Sequence, residues 1–395
     1  MALFEPGNII IWLVIAIGFF AFYMLFMSQI MSFQSRLAIR QSKKSLEKFE
    51  KWAKDSRKTA LKEITKHGRT RRDVGKEFDN FLEFFTISPV SADPAGVLNR
   101  LEHLLDVRKK RFEGAVKRFA PEADGEAAAN LEMTIEGAMA SYTIYKIMRH
   151  LILLAEKTKS YQLATILQMQ MPMLEEMAKA YNTATEAFAD GKAIGDGIGS
   201  LVAAKLIGDA SSEEKIKDTV YAKTKIEGRR AYIIKAKGPG GRVGKPGELI
   251  KELSKRRKLN RIIMIDAALK LEGEKSGQIV EGVGAAIGGP PTEKYKIEEL
   301  ATDREIPLDA LVIKEGFKEA ITPMSKTLSK SVDATVERVK EIIRERTEKG
   351  DAVFIAGIGN TIGIGQAPDE VPTKFPKVEK EEDELESFQL LFAPG

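Results

Sequence analysis

Two aspartates stand where carboxylate chemistry would use them. Asp196 lies in Gly195-Asp196-Gly197-Ile198-Gly199-Ser200, ahead of the apolar stretch Leu201-Val202-Ala203-Ala204, and Asp266 closes the run Ile262-Ile263-Met264-Ile265. The first pattern predicts a loop entering a helix, the second a buried strand. In an open α/β sheet the carboxyl ends of strands and the amino ends of helices converge on one crevice, so the two acids are expected to face each other. Carboxylates ~4 Å apart repel by ~4 kcal/mol at an effective dielectric of 20, enough to split their titration into two steps. Asp196, at a helix amino end, is the expected ionised base, and Asp266 the protonated acid that polarises a carbonyl. Each position also suits a plain structural role, Asp196 as a helix cap and Asp266 as a turn former.

Other chemistries find little support. The chain has no cysteine, which removes disulfides, thiolate nucleophiles and zinc ribbons together. Its three histidines, His67, His103 and His150, lie far upstream of both aspartate motifs, so histidine triads and multi-histidine metal sites are not expected. Gly238-Pro239-Gly240-Gly241-Arg242-Val243-Gly244-Lys245-Pro246 invites a phosphate-loop reading, but Pro239 stands in place of that motif's first glycine and Pro246 in place of its hydroxyl. A glycine-rich hairpin end or mobile loop is expected there instead. Gly357-Ile358-Gly359-Asn360-Thr361-Ile362-Gly363 follows a strand, with spacing unlike a dinucleotide fingerprint.

The Asp196 loop, then Ile265-Asp266-Ala267-Ala268, then the glycine-rich Gly277-Gln278-Ile279-Val280-Glu281-Gly282-Val283-Gly284 form an ordered set. Over residues 191–315 this set resembles the hydrogenase maturation protease and germination protease superfamily. The resemblance implies a protease-like α/β fold with Asp196 and Asp266 as catalytic residues. Glu281 is expected beside them to bind a substrate amine or a divalent ion, with Gly282, Gly284, Gly359 and Asn360 completing the binding surface. In that superfamily a strand ending in Gly-x-Gly-Asn directly precedes the acidic loop, whereas here Ile355-Ala356-Gly357-Ile358-Gly359-Asn360 comes last. A circularly permuted sheet would account for this, with 352–360 returning beside the Asp196 loop. The histidine that completes the metal site of the hydrogenase-type members has no counterpart, so no cofactor is expected, a divalent metal being the alternative. As a whole the chain resembles an archaeal family of single-span membrane proteins of unknown function.

These motifs need elements to position them. Residues 9–27 contain no charge and an almost unbroken apolar run, about the length that crosses a ~30 Å bilayer core as a helix. Arg36, Arg40, Lys43 and Lys44 follow it, so the positive-inside rule places Met1 outside and the rest of the chain in the cytoplasm. Leu46, Phe49, Ala53, Ala60, Leu61 and Ile64 then recur at helical spacing and give one narrow apolar face. Asp93-Pro94 predicts the start of a further helix, which Pro121 ends, and two long helices follow over 126–157 and 159–189. Met169, Met171, Met173 and Met177 crowd the last of these around Pro172, as flexible core filler or a binding groove. After residue 190, β-branched runs at 220–226, 231–236, 261–265, 308–313 and 352–356 alternate with helical stretches, which argues for a largely parallel sheet. The expected layout is a transmembrane helix over 8–30, a juxtamembrane helix over 32–78, a helical domain over 79–190, an α/β domain over 191–366 and an acidic tail over 367–395.

With 43% apolar and 30% charged residues the chain is globular rather than disordered. Its net charge of +5 comes largely from Lys and Arg beside the apolar run, which suits anionic headgroups rather than nucleic acid. The expected role is a membrane-anchored, cytoplasm-facing homo-oligomeric scaffold or assembly protein on a peptidase-like domain. The alternatives are an aspartate-pair peptidase acting on a cytoplasmic or membrane-associated protein substrate, and a nucleotide-binding module.

Overall fold

The computed structural model describes residues 6–68, 71–88, 96–255, 257–289, 291–366 and 372–376. The apolar run and the narrow-faced stretch after it form one helix, α1 (Pro6–Lys66), where two had been expected. Charge changes along this segment, but no glycine or proline interrupts it between Gly18 and Lys66, so the backbone has no cause to break. Its amino-terminal part is long and apolar enough to cross a membrane, and none of that window is buried. The expected start signal at Asp93-Pro94 and the acidic tail from residue 377 lie outside the described residues.

The chain divides into two compact units. The first comprises Met1–Asp55 and Ala140–Lys179. Here α1 packs with the second half of α4 (Gly125–Thr158) and most of α5 (Tyr161–Ala189), burying Phe49, Met148, Ile152, Leu167, Met171 and Ala178. Of the methionine cluster, Met171 fills this core while Met169 and Met173 face outward. The apolar face around Phe49 and Ala53 is thereby covered within the chain itself. Ion pairs at Lys43–Glu156 (2.6 Å) and Lys48–Glu175 (2.7 Å) fix the register of α1 against its neighbours.

The second unit comprises Ser56–Met139 and Ala180–Gly395. Its helical part adds α2 (Arg71–Leu82) and α3 (Val97–Phe119), held by edge-on contacts among Phe78, Phe81, Phe112 and Phe119. The remainder is a seven-stranded sheet: β1 (Ser212–Ile216), β2 (Thr219–Ile226), β3 (Arg229–Ala236), β4 (Arg261–Leu269), β5 (Ile279–Val283), β6 (Leu308–Glu315) and β7 (Ala352–Gly357) in the order β1-β2-β3-β7-β4-β6-β5. The four inner strands β3, β7, β4 and β6 run parallel. The outer pairings, β1 to β2 to β3 and β5 to β6, are antiparallel, so the parallel centre of the sheet is flanked by antiparallel edges. Both faces are covered. α6 (Ile198–Ile207) and α10 (Lys326–Arg346), the latter reached through the short α9 (Phe317–Ile321), close one over Ile233, Ile263, Ile265 and Ile355; α7 (Pro246–Ser254) and α8 (Pro291–Asp303) close the other over Tyr232, Ile262, Met264 and Phe354. A strand covered on both sides must be apolar at every position, and all six residues of β7 are buried.

Candidate functional site

Asp196 is held by backbone rather than by side chains. Ile194 is extended and bridges Pro323, and the 3₁₀ turn Gly195–Gly197 then feeds α6. Gly195 packs so closely that an added Cβ would lie 2.3 Å from the Glu319 carbonyl and 2.4 Å from Glu315 Oε2. The N–H of Asn360 donates to Asp196 twice, to its backbone carbonyl (3.2 Å) and to Oδ2 (3.1 Å). Gly359 makes this possible: its φ of +128° suits glycine, and a Cβ there would fall 2.0 Å from the Asp196 carbonyl. The chain leaving β7 therefore does return beside the Asp196 loop.

Asp266 sits inside β4 rather than at its end, since the strand runs on to Leu269 against β6. What ends at this point is β7. Its last pairing with β4 is Ile265 with Gly357, and Ile358 then donates to the Ile265 carbonyl at 2.8 Å. Asp266 is the first residue of β4 past that partner, and a cleft opens beside it. Its Oδ1 accepts the Ala267 N–H (2.8 Å) and its Oδ2 the Gly288 N–H (2.7 Å). Burial, at 6% exposure, and then the charge of Asp196 push its carboxyl up to about 7, against the pull of those two donors. Burial also raises Asp196, while the Asn360 N–H opposes it; the helix amino end leaves that carboxyl above, not below, its ordinary range.

The cleft has a volume of about 430 Å³, and Asp196, Asp266 and Gly359 all line it. Much of its wall is Pro239 to Lys245, the glycine-rich segment, a loop that joins β3 to α7. The failed phosphate-loop pattern had hidden it: glycines that let the backbone approach a neighbour closely look the same whether the neighbour is a phosphate or a protein chain. The opposite wall comes from α3 and the start of α4, including Arg108, Glu132 and Glu136.

Of the other expected site residues, Asn360 is buried and serves Asp196 through its N–H, while its own Oδ1 accepts the Ile362 N–H at 2.8 Å. Glu281, Gly282 and Gly284 do not come to the cleft. Glu281 and Gly282 lie on the edge strand β5, which the sequence had suggested was a loop. Glu281 pairs with Arg338 and with Arg346 (2.8 Å), and the hydrogen bond from Arg338 holds its carboxyl below the usual range. Arg346 also reaches Asp309 (2.9 Å) near the start of β6, toward the amino ends of the parallel strands.

Two further acidic features were not expected. Glu315, at the end of β6, is 2% exposed, and its Oε2 has no hydrogen-bond partner among the described residues. Burial, and then the charges of Asp196, Glu319 and Asp266, push it up to about 9. Glu102, Glu248 and Glu293 bring their oxygens close enough together to hold a metal ion. Lys296 already supplies the cation, however, with its Nζ 3.0, 2.9 and 2.9 Å from the three carboxylates in turn.

Residues 11–191 match the N-terminal domain of a family described as protein of unknown function DUF1512, and residues 194–365 match that family's C-terminal domain. No curated protein and no solved structure matches the chain.

Proposed function

The chain belongs to the DUF1512 family, whose description assigns no activity, and from that premise we propose that it is a membrane-anchored hydrolase of peptide bonds, with Asp196 and Asp266 as its proton-transfer pair. The observation that carries this reading is Asp266, a buried carboxyl in a cleft wall, raised to about 7 by burial and by its companion acid. A group titrating there is partly protonated at neutral pH, where general acid–base transfer works best. In the proposed reaction Asp196 takes a proton from a water molecule as the water oxygen bonds to the amide carbon, whose own oxygen accepts a hydrogen bond from protonated Asp266. The C–N bond then breaks and the nitrogen takes the proton that Asp196 holds, which gives an acid and an amine and restores the pair. Both acids accept backbone N–H groups, as structural aspartates do, but they also face one cleft with no cationic partner among the described residues, which favours the peptidase reading over the scaffold. Nucleotide binding is disfavoured because Glu293 occupies the amino end of α7, its Oε2 accepting the Gly247 N–H at 2.8 Å. The apolar start of α1 supports a single span, and the basic residues after it support a cytoplasmic α/β domain that acts on a protein substrate.

The test is digestion of a peptide library by full-length wild type, Asp196→Asn and Asp266→Asn, each first shown to be folded. Either variant is expected to lose ~10² to 10⁴-fold in turnover. Cleavage that both variants retain removes the aspartate pair from the mechanism. Failure of the wild type to cleave, across pH and with added divalent ions, returns the chain to the scaffold reading.

A further inference from the structure

We propose that the cleft selects polypeptide segments carrying lysine or arginine and turns away phosphates and nucleotides, an inference that rests on the peptidase reading above. Carboxylates outnumber cations two to one among the residues lining the cleft. Each of its four cations is already engaged. Arg108 pairs with Glu136 (2.7 Å), Lys109 with Asp218, Arg242 with Glu132 and with Glu113 (3.3 Å), and Lys245 with Glu248 (3.1 Å) and Glu102 (3.4 Å). Asp106, exposed on α3, and Asp196, the base of the pair, have no cationic partner among the described residues. The charge left over in the cleft is therefore negative, and a concave wall of one sign focuses its field on an approaching ligand. A second observation points the same way. A glycine-rich loop running into a helix is the usual seat of a phosphate, through the free N–H groups of the first turn. In this chain the Glu293 carboxylate takes the Gly247 N–H, so the protein supplies its own anion at that seat. A cavity of about 430 Å³ admits an extended segment with a few side chains rather than a folded surface.

The experiment measures binding apart from turnover. Full-length Asp266→Asn protein in detergent is titrated against three fluorescent peptides of equal length, alternating Lys-Ser, Glu-Ser and Gly-Ser, and against inorganic tripolyphosphate. The Lys-Ser peptide is expected to bind at least about tenfold tighter than the Glu-Ser peptide at low salt, and the preference to shrink as the ionic strength passes about 0.1 M, where the Debye length is ~10 Å. Adding Asp106→Lys should weaken Lys-Ser binding several-fold and leave Gly-Ser binding unchanged. Equal affinities for the charged peptides, or tripolyphosphate displacing the neutral Gly-Ser peptide, would overturn the proposal. Charge-selective binding by a protein that cleaves nothing would remove the peptidase reading and leave the selectivity. Cleavage without charge preference would do the reverse.

Discussion

Glu315 shows how one side chain can weigh against the fold that contains it. An unfolded glutamate titrates near 4.5, and in the folded chain this one is pushed up to about 9. Between those values the folded state binds more protons than the unfolded state, so its stability is intact below the lower value and falls as pH rises toward the upper one, by about 1.4 kcal/mol per unit. Glutamine cannot ionise, so Glu315→Gln should gain on wild type steadily over that window, whatever constant offset the amide brings below it. Denaturant midpoints of the two proteins at a series of pH values measure this; parallel curves would mean that Glu315 is not held protonated. Nothing in the sequence separates this glutamate from other strand-end acids, because its state depends on Gly195 and Glu319, which the fold brings to it. Asp196 and Asp266 were legible for the opposite reason: each is an acid beside an apolar run, where burial follows from the run itself. Glu281 has neighbours much like theirs in sequence, and only the turn of α10 toward β5 gives it two arginine partners.

At the scale of elements, the site depends on how closely α6 meets the ends of β4 and β7. A Cβ on Gly199 would lie 2.2 Å from the Ile358 carbonyl and 2.5 Å from that of Ile265, and one on Gly357 would lie 2.3 Å from the Gly199 carbonyl. Gly199→Ala should therefore push the helix off the strands, at a cost of about 1–3 kcal/mol or more, and move Asp196 with it. Gly282→Ala is the control, since its nearest neighbour is the Ala310 side chain at 4.0 Å, and its effect should stay within about 0.5 kcal/mol. Equal midpoints for the two variants in denaturant would refute the close-approach argument. The inner strands were readable from the sequence because burial on both faces demands unbroken β-branched runs. The two edge strands were not. β1 reads Ser-Glu-Glu-Lys-Ile and β5 Ile-Val-Glu-Gly-Val, the charged or glycine-bearing composition that keeps an edge from recruiting another chain.

For the whole molecule, the basic flank after the apolar run predicts one span with the α/β domain inside. Protease added to intact cells should leave that domain uncut, and digestion of it would reverse the orientation. Self-association is expected through the outward apolar side chains of α4 and α5, Leu153, Ile166, Met169 and Met173. Light scattering of detergent-solubilised protein should give a multiple of the chain mass that falls when Ile166 and Met169 are both changed to Ser; a mass of one chain at every concentration removes the expectation. Strand order could not be read from the sequence, because it is set by pairings between residues far apart in the chain, such as Ile233 with Ile355. The same order bears on how the protein is born. Of the sheet's seven strands β7 is the last to leave the ribosome and the middle one to be needed, so until it arrives β3 and β4 each present a bare parallel edge with nothing to bridge them. A nascent chain halted before residue 352 would hold two half-sheets and no cleft, and both open edges would be bait for chaperones or for aggregation.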